Sequence, residues 1–400
     1  MPEHYFEPEI ETMPREELKI LQEKKLKSIL RFVYSCSKFY HELFDKANIK
    51  PEDIKNYSDF QKKVPFSDKD MVREKMTPED PFGGTLAVSP DEIVNIGSSG
   101  GTTGLPTLIP LTRLDYEIVV RMVSRVFREW YVKPGDVVIW QGLRAQCAYG
   151  PIEYATQRYG AKFVMADALP VEMEARRNIV FCRYLKPKAM FCVPTMTRLM
   201  ERLIREEGYE NPKDLFTIDS LCFGGEPLTK VAQKKIKETW GCKNLYDWPS
   251  MADSHYLESS CYTNTGGHIH EDFFLHEVID PETGEPVTES ERGERVITHL
   301  WTKAVPYVRW RTDDIIDFTD EVCECGRTSR RETVVGRKGW GINVKDKLIM
   351  PIEVEEVIRA TPETETSEFQ IIKYAERMDT LKMICGYETV SYTHLTLPTN

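Results

Sequence analysis

The apolar residues of this chain follow two different periods. From residue 15 to 46, Leu18, Leu21, Leu26, Ile29, Leu30 and Val33 recur at helical spacing. That spacing predicts one long amphipathic helix or a helix pair, with Phe39, Tyr40 and Phe44 packing inward. Further on, short apolar runs appear at 137–140, 161–164, 189–193, 221–223 and 244–246, separated by helical patterns at 114–130, 171–185, 196–207 and 230–240. Short strands alternating with helices predict a mainly parallel sheet covered by helices. Ligands of such sheets sit beyond the carboxyl ends of the strands.

The pattern changes after about residue 266. Runs at 273–279 and 294–298 flank the turn-rich Asp280-Pro281-Glu282-Thr283-Gly284-Glu285-Pro286, and a further run at 305–310 follows. This predicts a smaller antiparallel β unit. Gly336-Arg337-Lys338-Gly339 marks a hinge, followed by a short α+β fragment. Residues 389–400 carry no Lys, Arg, Asp or Glu in a chain that is 29% charged, and are expected to be a non-native tail. The expected fold class is therefore α/β. An N-terminal domain is expected at 1–336, its smaller β unit at about 266–335, a partial C-terminal domain at 337–388 and the tail at 389–400.

Composition narrows the class without naming an activity. Four hundred residues, 41% of them apolar, are enough for a substantial core and for two or three domains. The formal charge of −11 argues against a nucleic-acid surface, which needs clustered Lys and Arg. No apolar run approaches the ~20 residues that span a bilayer, so no membrane partner is expected. Met1-Pro2-Glu3-His4 lacks the basic and apolar stretches of a signal peptide. Ten scattered cysteines fit reduced thiols, and a cytoplasmic location is expected.

The chemistry concentrates in Ser98-Ser99-Gly100-Gly101-Thr102-Thr103-Gly104-Leu105-Pro106-Thr107, directly after a strand-like run at 92–96. Such a loop is dense in backbone N–H and hydroxyl donors, and its glycines let the backbone approach an anion closely. It is neither GxxxxGK[ST] nor GxGxxG. Its pattern, [ST]-x-G-[ST]-T-G-x-P-T, resembles the nucleotide loop of the adenylate-forming enzymes. Four further segments point to the phenylacetate-CoA ligase branch of that superfamily, over most of the chain to about Val357. These are Phe223-Gly224-Gly225-Glu226-Pro227-Leu228, the run from Leu245 to Asp253, Val308-Arg309-Trp310-Arg311-Thr312-Asp313-Asp314, and Gly336-Arg337 with the residues 343–357.

The resemblance implies an ATP-dependent ligase that activates a small carboxylic acid, aryl or arylacetic, as its adenylate and passes it to coenzyme A. It implies that Ser99, Gly101, Thr102, Thr103 and Gly104 hold phosphates, with Thr102 and Thr103 catalytic. Gly225, Glu226, Pro227, Tyr246 and Asp247 surround the nucleotide. Asp253 is catalytic through Mg²⁺, a hard cation that seeks carboxylate oxygen. Asp314 accepts the ribose hydroxyls and Arg337 reaches ribose or phosphate. Residues 193–196, with Phe191 and Tyr149, line the acyl pocket, and a homodimer is common in the branch.

The chain departs from the family pattern at Leu105, Pro249, Ser250, Ala252, Asp313 and Asp346. The lysine expected late in the C-terminal domain has no counterpart, since Lys373 and Lys382 lie too early. The expectation is a C-terminally truncated chain that binds ATP and forms adenylate weakly or not at all. Two alternatives stay open: an adenylating synthetase with a non-CoA acceptor, and a non-catalytic nucleotide-binding homologue. Separately, Cys261, His268, Cys323 and Cys325 form a thiolate–imidazole set suited to structural Zn²⁺, and their spacing resembles that of zinc-bearing members of the branch. His255 and His270 remain alternative ligands.

Overall fold

In the computed structural model, the residues described are 4–99, 106–142, 149–226, 228–248, 250–251, 254–289, 291–345, 347–361, 364, 369–373, 375, 377–385 and 393–396, with 377 and 393–396 described by backbone alone. The N-terminal layer is helical: α1 (Pro8–Glu11), α2 (Arg15–Cys36), α3 (Lys38–Lys46), α4 (Tyr57–Lys63) and α5 (Lys69–Arg73). The helical period at 15–46 resolves into a pair. Ser37 adopts an extended conformation, ends α2, and caps α3 by accepting from the Tyr40 amide. A two-stranded antiparallel ribbon, β1 (Ile93–Ser98) with β2 (Leu108–Thr112), leads into α6 (Arg113–Glu129). The start of α6 is fixed by a capping box in which Thr112 and Asp115 exchange side-chain and backbone bonds.

The predicted parallel sheet is present. Its strands are β3 (Val137–Gly142), β4 (Lys162–Asp167), β5 (Ala189–Cys192), β6 (Ser220–Phe223) and β7 (Asn244–Asp247), in the order β4-β3-β5-β6-β7. The intervening helices are α7 (Tyr149–Tyr159), α8 (Glu172–Leu185), α9 (Pro194–Glu206) and α10 (Lys230–Trp240). Alternate side chains serve opposite cores, as the strand period requires. Val138, Trp140, Phe191, Cys222 and Tyr246 join one apolar cluster with α2, α3 and α6. Ile139, Met190, Cys192, Leu221, Phe223 and Leu245 join another with α8, α9 and α10. Burial on both faces explains why these strands read as unbroken apolar runs.

The antiparallel unit is a six-stranded sheet in the order β10-β11-β12-β13-β9-β8. It comprises β8 (Ser259–Ser260), β9 (Gly267–His268), β10 (Phe274–Ile279), β11 (Gly293–His299), β12 (Trp310–Thr319) and β13 (Arg331–Arg337). The run at 305–310 is mostly not a strand. Its backbone amides are taken by side chains instead: Tyr307 N–H by His299 Nδ1, Val308 N–H by Tyr40, and Arg309 N–H by Thr298. The ladder starts only at Trp310.

Beyond β13 come β14 (Ile342–Val344), β15 (Lys347–Ile349), α11 (Pro351–Ala360), β16 (Phe369–Ile372), β17 (Arg377–Met378), β18 (Lys382–Cys385) and β19 (Thr393–Thr396). They enclose a separate small core including Val344, Val354, Ile358 and Met383. Within the region read as a tail, β19 pairs antiparallel with β18. Among the described residues no helix is long and apolar enough to cross a membrane.

Trp130, at the end of α6, joins the helical layer to both sheets. It is fully buried, donates to Ser259 Oγ at 2.9 Å, and lies against Tyr246 and Trp248. Trp130→Ala is expected to lower stability by about 3–5 kcal/mol, read as a shift of the urea midpoint. A shift below ~1 kcal/mol contradicts this placement of the core.

Candidate functional site

A cleft of about 600 Å³ opens beyond the carboxyl ends of β6 and β7. Its floor is the antiparallel sheet around Asp314 and Gly336, and Ile352, Glu353, Glu356 and Val357 of α11 form its roof. Residues from widely separated motifs meet there: Gly224, Gly225, Glu226, Asp247, Asp314 and Arg337.

The strand-to-helix turn after β6 is shaped by its glycines. A Cβ on Gly224 falls 2.8 Å from the Trp248 carbonyl oxygen and 2.9 Å from the Phe191 ring. Gly225 has φ of +79°, a region other residues rarely adopt. Glu226 turns toward α9, where its Oε2 accepts from the Thr195 amide at 2.9 Å and from the Thr195 hydroxyl at 2.7 Å. It thereby caps a helix that has no side-chain cap of its own and ties the turn to the start of α9.

Asp314 stands at a distortion in β12. Ladder register with β11 shifts between Glu294 and Val296, and the neighbouring Asp313 has φ of +60°. Such bulges re-aim side chains beside functional sites. Asp314 Oδ1 meets Arg337 Nε at 2.9 Å, and Oδ2 meets the buried Arg295. Arg337 also donates to the Thr312 carbonyl at 2.8 Å. Asp247 is pushed up to about 6 because burial opposes its charge, with the Trp248 amide pulling weakly the other way.

Other residues singled out in the sequence stand differently. Ser99 accepts from the Thr107 amide at 3.2 Å and closes the base of the glycine-rich loop. Gly101, Thr102, Thr103, Gly104, Leu105, Pro227, Pro249, Ala252, Asp253 and Asp346 lie outside the described residues, so the magnesium expectation, which rests on Asp253, has no described ligand. Tyr246 turns its side chain into the core, donating to the Glu129 carbonyl at 2.8 Å. Met196 is buried in the cluster on the far face of the sheet, while Tyr149 packs against Phe163. Phe191 stacks on Trp140 with centroids 3.9 Å apart, and the edge of Trp248 closes the group. Sequence reading missed Trp140, Trp248 and Arg295. The one available signal for Arg295 was a charged residue inside the strand-like run at 294–298.

Cys261, His268, Cys323 and Cys325 converge, all buried, with ligand atoms within 4.8 Å of one another. Cys261 Sγ and Cys323 Sγ are 3.7 Å apart, and Cys325 Sγ lies 3.4 Å from His268 Nε2. The sulfur separation is far beyond a disulfide of ~2.05 Å. It matches the edge of about 3.8 Å in a tetrahedron with metal–sulfur bonds of about 2.3 Å. His268 Nδ1 faces Ser329 Oγ at 3.2 Å, an outer contact that leaves Nε2 for a metal. Burial holds His268 below its usual range and therefore neutral, as a ligand must be. His255 and His270 are not part of this cluster.

A family profile described as AMP-binding enzyme matches residues 21–301. A phenylacetate-coenzyme A ligase of Thermus thermophilus is 31% identical over 92% of this chain and 80% of its own length. One from Escherichia coli is 28% identical over 87% of this chain and 78% of its own length. Among solved structures, a 2-hydroxyisobutyryl-CoA ligase in the postadenylation state, in complex with R3-HIB-AMP, superposes with a TM-score of 0.86. The two are 25% identical, and the match covers 94% of this chain and 80% of that one.

The raised pKa of Asp247 fixes the sign of a pH effect. The folded state holds this proton more tightly than the unfolded chain, so the destabilising contribution is absent below about pH 4, grows toward pH 6, and is constant above. Asp247→Asn is expected to raise Tm at pH 7.5 relative to wild type, with no gain at pH 3.5. Equal gains at both pH values show that Asp247 is not held up by burial.

Proposed function

The chain belongs to the AMP-binding enzyme family, in its phenylacetate-CoA ligase branch, and from that premise we propose that this adenylate-forming acid–thiol ligase acts on an aryl or arylacetic acid. The convergence of Gly225, Asp247, Asp314 and Arg337 on one cleft at the ends of the parallel strands carries this reading. In it, the glycine turn after β6 passes the flat face of adenine and Asp314 accepts the ribose hydroxyls, which suits an acceptor with two oxygens. Ser99 anchors the loop whose Gly101, Thr102, Thr103 and Gly104 cradle the phosphates.

A carboxylate is a poor electrophile because its leaving group is oxide. The acid's oxygen attacks the α-phosphorus of ATP, pyrophosphate leaves, and the acyl-adenylate remains. The thiol of coenzyme A then attacks the acyl carbon and AMP departs. Negative charge builds on phosphate oxygens, so the protein's contribution is positioning and charge stabilisation. Magnesium, when bound at Asp253, neutralises phosphate charge. Arg337 sits at the junction between β13 and the C-terminal segment, about which the roof over the cleft moves between the two half-reactions.

The aryl preference is supported by the aromatic group Trp140, Phe191 and Trp248 beside the Gly224 turn, together with the printed names of the relatives. Acid-dependent ATP–pyrophosphate exchange across aryl, arylacetic and short aliphatic acids tests it. Exchange is expected to favour an aromatic acid by about tenfold or more, since apolar pocket contacts discriminate on that scale. Preference for a short aliphatic acid overturns the aryl reading and leaves the ligase chemistry intact.

The Cys261–His268–Cys323–Cys325 set belongs in this reading to a structural Zn²⁺ that ties β8 and β9 to the loop after β12. Metal analysis of the purified protein is expected to return about one zinc per chain, as a closed four-ligand site implies. Cys325→Ser is expected to lose most of that metal and to lower Tm. Full metal content in the variant removes Cys325 from the ligand set.

A further inference from the structure

Strand β11 delivers Arg295 beneath the cleft, where its side chain is 1% exposed. Its guanidinium meets three carboxylates from three segments: Glu332 of β13, Glu258 just before β8 at 3.4 Å, and Asp314 of β12. The Tyr256 ring lies 4.7 Å from it. Glu332 is held from its other side by His276 Nε2 at 2.6 Å, and His276 Nδ1 faces Arg330 at 3.2 Å. Arg330 in turn is bonded twice to Asp320, at 2.7 Å on each oxygen. A continuous chain of alternating donors and acceptors therefore runs through the sheet and ends on Asp314.

Arg337, another partner of Asp314, ends β13 with a side chain that is 48% exposed. Arg295 is buried. Its fork is fixed by Glu332 and Glu258 on one nitrogen while the second nitrogen reaches Asp314. A planar guanidinium can bridge carboxylates in this way, whereas a lysine ammonium offers a single point of charge. The same stretch of β11 carries the register shift opposite Asp314, and Thr312 donates to the Arg295 carbonyl at 2.8 Å. Backbone and side chain of Arg295 thus set both the position and the aim of the Asp314 carboxylate.

We propose that Arg295 is the positioning residue of the nucleotide site, holding Asp314 in the orientation that reads the ribose hydroxyls and so setting selection of ribonucleotide over deoxyribonucleotide. The inference rests on the reading of the cleft as the ATP site. It assigns the discrimination to a buried group that acts through the Asp314 carboxylate.

The test is direct binding of ATP, 2′-deoxyATP and 3′-deoxyATP by calorimetry to the wild-type chain, Asp314→Ala and Arg295→Lys. Wild type is expected to favour ATP by about tenfold over each deoxynucleotide, the scale of one hydrogen bond to a charged acceptor. Asp314→Ala is expected to abolish that ratio, and Arg295→Lys to reduce it below about threefold although Asp314 is intact. Partial unfolding scales all three affinities alike, so the ratio reports orientation and not folded fraction. A wild type that does not discriminate, or an Asp314→Ala that still does, refutes the ribose reading itself. Discrimination that depends on Asp314 but survives in Arg295→Lys refutes the Arg295 inference alone. Should Arg295→Lys not fold, Glu332→Gln loosens the anchor of Arg295 from the side remote from the nucleotide. It is expected to lower the ratio by a smaller factor, and an unchanged ratio there also overturns the proposal.

Discussion

Four buried guanidinium groups hold the antiparallel sheet, the helical layer and the N-terminal segment together. Arg125 of α6 makes a two-pronged pair with Asp272 at 2.7 and 2.9 Å and also reaches Glu7. Arg327 joins Glu11 at 2.8 Å, Glu129 at 3.1 Å and the His4 carbonyl at 2.7 Å. Arg309 binds Glu277 while donating to the Gln61 and Val64 carbonyls at 2.7 Å each. Arg295 spans three strands. Removing a charge from water is costly, and each of these is compensated by several partners rather than one. Loss of one of these guanidinium groups leaves its buried carboxylates without their counter-charge, at a cost of about 3–5 kcal/mol. The rigidity of the site follows from that arrangement, because the sheet beneath the cleft cannot slide without breaking multi-centred ion pairs.

The parallel sheet was legible because both of its faces are buried, which leaves a local trace in sequence as short unbroken apolar runs. The run at 305–310 left the same trace for a different reason. It is a buried loop, and its amides are satisfied by Tyr40, Thr298 and His299, partners far away in sequence that no local pattern reveals. The helix break at Ser37 is a single extended residue inside a continuous helical period, so periodicity left one helix or two undecided.

The site was legible where its chemistry is local and obscure where it is assembled. Gly225, Asp247, Asp314 and Arg337 stand out as motif residues and do reach one cleft. Tyr246 belongs to the same motif as Asp247, but strand alternation sends it to the opposite face, into the core. Arg295 carries no motif, and its role exists only through Glu258, Asp314 and Glu332, each on a different segment. The cysteine–histidine set is the opposite case, since the paired spacing of Cys323 and Cys325 marked it before any contact was known.

The roof of the cleft is attached quite differently from its floor. Arg292 meets Glu353 at 3.1 Å with both side chains partly in solvent, and Glu356 accepts from the Val231 amide at 3.3 Å. Exposed pairs of this kind contribute at most about 1 kcal/mol and are screened by salt. α11 is held by these exposed contacts and by Ile352 packing on Ile315, Val335 and Met350, while multi-centred ion pairs hold the sheet beneath. On the proposed reading of the cleft, nucleotide and product pass under a lightly latched cover over a firmly held bed. On that reading, the speed of exchange and the fidelity of recognition fall to separate parts of the molecule, and either could change without disturbing the other.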